Sequence, residues 1–561
     1  MFRWKPAALL SLLMVLALAL TGCFGGLSGV APRSLDGAAG LSGGGPRGTD
    51  PYSAAAFPAD GVRDADLAAH LPGEMLVGVE SEEVARRVAA RLDAELKNYV
   101  PEIGLARLEL RDKTRSLTDA MRSLRGEPGV RYAQANFKMY SLPVQDVRVL
   151  EAADLGLGPD QFDSIYEPGS DYNKWQYGLR SIRAEAAWER GLTGEGTILA
   201  VIDTGVQADH PFLGGKVLPG YNPGHESDET DDWNGHGTHV AGIAAGAYHA
   251  GRGFIGIAPD ALILPIRVFN EDTASNFDVA VGLLVAADPT IAGLSLPPAD
   301  VANMSLGGAV YSLALQDAIN FALDRNVVVV AAMGNTSNEA IRYPAAYQGV
   351  IAVGATDAHD DKTDFSTTGE HISVAAPGYD IFSAYSQNRI AWASGTSMAT
   401  PHVAGAALIL RQLYPDATPA QIKDLLERTA DFKEGYRFQQ LGHGRINLER
   451  ALSEGLDGRP RGDIEVFVYY TVDDEPIPIA GADVTLWRGQ QAVAYNRTGG
   501  GFGVYFVPYD GIARFFGLEP GDNYWIEVRL EEALHGTSQA YRVDNVAVRA
   551  GEMTSLRVKI D

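Results

Sequence analysis

The chain has 561 residues with 46% hydrophobic content, so it is globular and too long for one ordinary domain. Its formal net charge is −25. So acidic a surface excludes nucleic acid as a partner, because phosphate binding needs a basic face, and suits an exported protein kept soluble by its charge.

The N-terminus reads as an export signal. Arg3 and Lys5 precede an apolar run from Ala7 to Leu20, and Thr21-Gly22-Cys23 follows. This ending resembles the bacterial lipoprotein box, in which the cysteine is lipidated and becomes the new N-terminus. Residues 1–23 are therefore expected to be a lipoprotein signal peptide, with Cys23 tying the chain to a membrane. An ordinary signal peptide with an incidental cysteine is the alternative. Lipidation is preferred because Cys23 is the only thiol in the chain, which also rules out an internal disulfide. No other stretch is long and apolar enough to span a membrane. Residues 24–72 are rich in Gly, Ala, Ser and Pro and predict a flexible tether.

Residues 73–140 change character. Glu74–Val79 and Leu105–Leu110 predict strands, as does Gly129–Asn136. Ser81–Lys97 predicts a helix, with Ser81 as N-cap and Val84, Val88, Leu92 and Leu96 on one face. Leu117–Leu124 predicts a second helix. The alternation suggests a small α/β sandwich. Residues 141–173 are irregular and acidic and read as a connector.

Residues 174–455 alternate fully apolar strands with helices. The strands are Thr197–Ile202, Ala261–Val268, Val301–Leu306, Val327–Ala332 and Val350–Gly354, with helices Phe277–Ala287 and Leu313–Leu323 between them. This is the pattern of a parallel sheet covered on both faces. Its functional groups belong at the C-terminal ends of the strands. Asp203 ends one strand, His236 opens a small-residue helix in Asn234-Gly235-His236-Gly237-Thr238-His239, and Asn335 follows another strand. Ser397 sits in Ser394-Gly395-Thr396-Ser397-Met398-Ala399-Thr400-Pro401 at the start of an apolar helix running to Leu413. A helix N-terminus stabilises developing negative charge. Pro401 is expected in the first turn, where its missing N–H costs little. Residues 462–561 carry alternating strands at Ile464–Val468 and Tyr524–Val528, and a less clean one at Tyr541–Val548, which predict an all-β sandwich. A spacer role is favoured for it over surface or substrate binding. Arg461-Gly462-Asp463 reads as a chance tripeptide in a linker.

Asp203, His236, Asn335 and Ser397, each in its motif and in this order, resemble the subtilisin-like serine peptidases near the subtilisin and thermitase branch; the match covers about Trp175 to Leu452. The resemblance implies an endopeptidase acting on protein or peptide substrates through an acyl-enzyme. Ser397 would attack, His236 would shuttle the proton, Asp203 would orient the imidazole, and the Asn335 amide with the Ser397 N–H would hold the oxyanion. Residues 73–140 would be the inhibitory propeptide, acting on its own chain, with Asn136–Tyr140 as the tail in the cleft. Ser305, Leu306, Gly307 and Gly308 would pair with substrate as an added strand. Ala331, Ala332 and Gly334 would line the specificity pocket. His239 and His402 read as structural, and Asn303 as support behind the site.

The chemistry implies no cofactor. Structural calcium is left open by the resemblance, but Phe212 stands where the family's strong site has Asp, and an Asn-rich ligand loop is missing after Ala247. Asp228, Glu229, Asp231 and Asp232 offer oxygens for calcium, though a solvated acidic loop is the commoner arrangement. Arg342 replaces a small residue near the pocket base. Pointing inward it would favour acidic substrate side chains; pointing outward it would leave the apolar preference, which is the expectation here. A surface-binding protein using the peptidase domain as a scaffold is the rival reading, and the intact tetrad argues against it.

Overall fold

A computed structural model describes residues 33–34, 69–150 without 143, 175–456 with short gaps, and most of 462–560. Cys23, most of the expected tether and residues 151–174 lie outside the described residues. Within the tether, Arg33 and Ser34 pair in parallel with Tyr541 and Arg542.

The N-terminal domain runs β1 (His70–Val79), α1 (Glu82–Leu92), β2 (Ala94–Val100), β3 (Leu105–Leu110), α2 (Leu117–Arg122) and β4 (Val130–Ser141). Its antiparallel sheet has the order β4-β1-β3-β2, a ferredoxin-like split βαβ arrangement. Ser81 caps α1 as expected, accepting from the Val84 N–H at 3.3 Å. The helix does not continue to Lys97. Asp93 turns left-handed at φ 51° and closes it after Leu92. Leu96 therefore packs from a strand, whose alternation the helical reading absorbed.

The connector begins with a strand, β5 (Gln145–Leu150), where irregular chain was expected. The second domain then follows with β6 (Ile198–Asp203), α3 (His236–Ala245), β7 (Leu262–Arg267), β8 (Thr273–Ser275), α4 (Asn276–Ala287), β9 (Val301–Met304), β10 (Leu306–Gly307), α5 (Leu313–Asp324), β11 (Val328–Ala332), β12 (Ile351–Thr356), β13 (Val374–Pro377), β14 (Ile381–Tyr385), β15 (Arg389–Ser394) and α6 (Thr396–Leu413). Six strands form a parallel sheet in the order β13-β12-β11-β9-β6-β7. Each is apolar because both faces are covered. One core joins α3 and α6 to one face. The other joins α4 and α5 to the opposite face and continues without a break into the N-terminal domain. Thr396 to Arg411 of α6 are all buried, as suits a helix apolar on every side.

Two amides of β4 complete that junction. Gln134 Oε1 accepts from the Leu313 N–H at 2.7 Å while its Nε2 donates to Ser312 Oγ at 2.8 Å. Asn136 Oδ1 accepts from the Phe277 N–H at 3.2 Å, and its Nδ2 donates to Glu74 at 2.9 Å. The N-termini of α5 and α4 thus receive acceptors from the other domain, where helix N–H groups have no partner of their own. Asp317 adds an ion pair, accepting from Arg131 and the Tyr132 hydroxyl, each at 3.0 Å.

The C-terminal domain contains β16 (Gly462–Val472), β17 (Glu475–Pro478), β18 (Asp483–Arg488), β19 (Gln491–Arg497), β20 (Ile512–Leu518), β21 (Gly521–Leu530), β22 (Gln539–Val548) and β23 (Met553–Lys559). One sheet holds β16, β17, β20 and β23; the other holds β18, β19, β21 and β22. Ile464, Val466 and Val468 face Val484, Leu486, Ile526 and Val528 in a shared core. The uneven alternation of Tyr541–Val548 comes from a bulge: Asn545 is left-handed at φ 58°, and burial moves from Tyr541 to Val546 and Val548.

Replacing Gln134 by Ala leaves the Leu313 N–H without its acceptor in a dry junction, while Ser312 Oγ keeps its bond from the Leu315 N–H. Such a loss costs about 1–3 kcal/mol, so binding of the separately added N-terminal domain to the second domain is expected to weaken by roughly 5- to 150-fold. A dissociation constant unchanged in Gln134→Ala would show that the capping contributes nothing.

Candidate active site

β6 ends at Asp203, and α3 starts at His236 beside it. His236 Nδ1 and Asp203 Oδ1 are 2.7 Å apart, and both side chains are buried. The approach depends on Gly237: a Cβ there would lie 2.0 Å from the Gly205 carbonyl oxygen and 3.2 Å from Asp203 Cβ. Asp203 Oδ1 also accepts from the Thr204 N–H at 2.7 Å. Burial works against a charged His236 imidazole, but the Asp203 charge and hydrogen bond, with Asp232 further off, hold its pKa above the ordinary histidine value.

The acidic stretch before His236 is not simply a solvated loop. Asp232 is 5% exposed. Its carboxylate accepts from the backbone N–H groups of Asn234, Gly235 and Thr238 and from the hydroxyls of Thr204 and Thr238, at 2.7–3.1 Å. Thr204 Oγ1 in turn accepts from the Gly237 N–H at 3.0 Å. Asp232 therefore shapes the turn that presents His236, a role the sequence did not reveal. With its oxygens already used, it is a poor cation ligand. Phe212 stacks on Phe254 at 4.6 Å inside an apolar cluster with Phe382 and Ile390, which is no place for a hard cation either. Among the described residues no three carboxylate, His or Cys groups converge on a metal position.

Ser397 is the second residue of α6. Pro401 is not in the first turn, as expected, but is the sixth residue of this helix. Its missing N–H leaves the Ser397 carbonyl without a helical partner. Ser305 Oγ takes that place, donating to Ser397 O at 2.9 Å, and Asn303 Nδ2 donates to Ser305 Oγ at 3.0 Å. Asn303 thus supports Ser397 from behind. Ser397 Oγ donates to the Ser305 carbonyl at 3.3 Å, and His236 Nε2 is buried without a partner among the described residues. Serine and imidazole are brought to one cleft but are not hydrogen-bonded. Asn335 Oδ1 accepts from the N–H and hydroxyl of Thr396, both at 2.9 Å. This turns Nδ2 toward Gly395, to 3.1 Å from where its Cβ would be.

His239 and His402 are structural. His239 Nε2 meets the Ala391 carbonyl at 3.1 Å, and His402 Nδ1 meets that of Met398 at 2.8 Å. Burial pushes His402 down to about 4 and His239 to about 3, so both are neutral.

β4 continues from the N-terminal domain into the cleft. Tyr140 and Ser141 pair with Gly307 and Leu306 of β10 on one side, while Lys138, Met139 and Tyr140 pair with Ser275, Ala274 and Thr273 of β8 on the other. The tail therefore extends from Lys138 to Ser141, past the expected Tyr140, while Asn136 stays in the domain junction. β8 is a cleft wall that sequence reasoning missed; a three-residue strand has too little pattern to show itself. Ser305 and Gly308 do not join the ladder. Ser305 serves Ser397, and Gly308 exchanges backbone hydrogen bonds with Tyr343 at 2.8 and 2.9 Å. Gly308 still borders the tail, with Met139 Sδ 3.2 Å from its Cβ position. Ala331 and Ala332 are buried at the end of β11, and the Gly334 N–H donates to Thr396 Oγ1 at 3.1 Å. Beyond Val144 the chain leaves along β15, with Gln145 opposite Ser394 and Leu150 opposite Ile390.

A buried carboxylate–imidazole pair, a serine at a helix start and a strand-pairing cleft at the C-terminal edge of a parallel sheet define a serine hydrolase that takes extended peptide. Residues 194–444 match the subtilase family, and residues 57–136 match the fervidolysin N-terminal prodomain. Thermitase from Thermoactinomyces vulgaris is 42% identical over 289 residues, covering 51% of this chain and 99% of its own. Fervidolysin from Fervidobacterium pennivorans is 30% identical over 487 residues, covering 80% of this chain and 66% of its own. The crystal structure of fervidolysin, described as a keratinolytic enzyme related to subtilisin, superposes with a TM-score of 0.71 at 27% identity, over 92% of this chain and 81% of that one. The chain belongs to the subtilase family and is a subtilisin-like serine endopeptidase with an N-terminal prodomain.

Two outcomes follow from the His236 environment. Activity is expected to fall as pH drops through a raised imidazole pKa, since only the neutral ring accepts a proton. In Asp203→Asn the raising charge is gone, so kcat should drop on the order of 10⁴-fold and the remaining acid limb should move to lower pH. A pH–rate profile unchanged in position would contradict the pairing. Asp232→Ala should lower kcat through loss of the turn while leaving KM for a short peptide nearly unchanged, as steady-state kinetics would show.

Proposed function

We propose that the chain is made as a self-inhibited, membrane-tethered precursor of a secreted serine endopeptidase. In this reading residues 1–23 are the lipoprotein signal, Cys23 carries the lipid, 24–72 form the tether, and 73–140 form the prodomain. Residues 141–173 hold the processing region, 174–455 the peptidase, and 462–561 a β-sandwich spacer.

Ser397 Oγ attacks the substrate carbonyl, and His236 Nε2 takes the proton and returns it to the leaving amine. Asp203 holds Nδ1 and stabilises the imidazolium. Asn335 Nδ2 and the Ser397 N–H donate to the oxyanion. For this step Ser397 Oγ leaves the Ser305 carbonyl for His236 Nε2, which has no partner among the described residues. Leu306 and Gly307 hold substrate main chain as they hold Ser141 and Tyr140, and Ala331, Ala332 and Gly334 border the pocket. No cofactor takes part in these steps. The observation that carries the reading is the pairing of Lys138–Ser141 between β8 and β10: the precursor's own chain lies where an extended substrate would.

Intact mass and fluorophosphonate labelling test it, on a chain beginning at Phe24 and on its Ser397→Ala partner. The wild type should shorten between residues 140 and 174 and label; Ser397→Ala should stay whole and unlabelled. A wild type that neither shortens nor labels, even after removal of the prodomain, refutes the reading. The tether has its own test. Full-length chain should partition with membranes, and Cys23→Ala should release it to the soluble fraction.

A further inference from the structure

The register of the cleft identifies the residue that faces the nucleophile. Leu306 is opposite Ser141 and Gly307 opposite Tyr140. The next residue of the tail, Leu142, therefore faces Ser305, whose carbonyl accepts from Ser397 Oγ. Leu142 occupies the position that precedes the scissile bond in a substrate. Its side chain is 6% exposed and its Cδ2 lies 3.5 Å from a Cβ placed on Gly307; the Tyr343 carbonyl oxygen lies 3.3 Å from the same point.

Arg342 sits directly before Tyr343, whose backbone is bound to Gly308 on the cleft edge. The Arg342 stem turns toward the pocket: Cγ and Cδ lie 3.4 and 3.8 Å from a Cβ placed on Gly334. Its Nε is buried without a partner. Among the described residues no carboxylate pairs with the guanidinium and no hydrogen bond reaches it. Burial lowers its pKa, and no neighbouring charge offsets that effect. A partly buried cation without a counter-charge is costly and favours whatever supplies one.

We propose that Arg342 makes the pocket for the residue before the scissile bond selective for glutamate and aspartate. This rests on Ser397 as the nucleophile. A substrate carboxylate entering the pocket meets a planar, two-pronged donor whose geometry matches it. Leu142 offers no such group, so the tail occupies the cleft without satisfying the guanidinium, as an inhibitor rather than a favoured substrate. The apolar preference expected from the sequence is thereby replaced.

The test uses the full-length chain after self-processing and three peptides that differ only before the scissile bond, as Glu, Gln or Leu. Fluorophosphonate titration first counts competent sites, so failure of the nucleophile is seen separately; a sample that does not label overturns both readings. For the wild type, kcat/KM for Glu should exceed that for Gln by about tenfold or more at low salt and shrink as salt rises. In Arg342→Ala the Glu and Gln values should become nearly equal; Arg342→Lys should retain part of the preference. Wild-type enzyme that cleaves Leu or Gln as well as Glu overturns the proposal. So does a Glu preference that survives Arg342→Ala.

Discussion

The Asp203–His236 contact sets the terms for the rest of the site. A strand end and a helix start must come within hydrogen-bonding distance, and at Gly237 they approach without room for a side chain. Bringing an imidazole and a carboxylate into a dry pocket is unfavourable unless their partners are fixed beforehand. Asp232 and Thr204 do this by using up the free N–H groups of the His236 turn. The imidazole is then held with its charged form favoured by the neighbouring Asp203 carboxylate.

The same economy of backbone groups governs Ser397. Pro401 removes one donor from α6 and so frees the Ser397 carbonyl for Ser305. Ser305 also supplies the carbonyl that the serine hydroxyl rests on. One residue thus holds Ser397 from both ends, on the strand segment that leads directly into the ladder with Tyr140 and Ser141. The residue that places the serine is thus next in the chain to the residue that pairs with the tail.

The prodomain is more than a plug. It supplies acceptors to the first turns of α4 and α5 and shares their apolar core. Both helices gain partners for N–H groups that would otherwise wait for water. The inhibited precursor and the correctly formed helix ends are therefore one arrangement, and β4 carries both functions along a single strand.

Much of this was legible in the chain. Fully apolar strands dictated a sheet covered on both faces, and the Asp, His, Asn and Ser motifs fell at strand or helix ends because only there can polar groups face a cleft. The alternation of residues 462–561 dictated a sandwich. Other features needed the fold. Leu96 fits a helical face as well as a strand, and only Asp93 turning left-handed decided between them. β8 and β5 exist because a partner strand lies beside them, so no local pattern announces them. Asp232 read as one acid among several until the turn folded around it, and Arg342 was expected to point outward until Gly334 was placed against its stem. Sequence determines what depends on neighbours along the chain, namely periodicity, caps and motif order. Tertiary structure alone decides what depends on contacts between distant segments: which hydroxyl a carbonyl meets, which carboxylate is buried, and which charge is left without a partner.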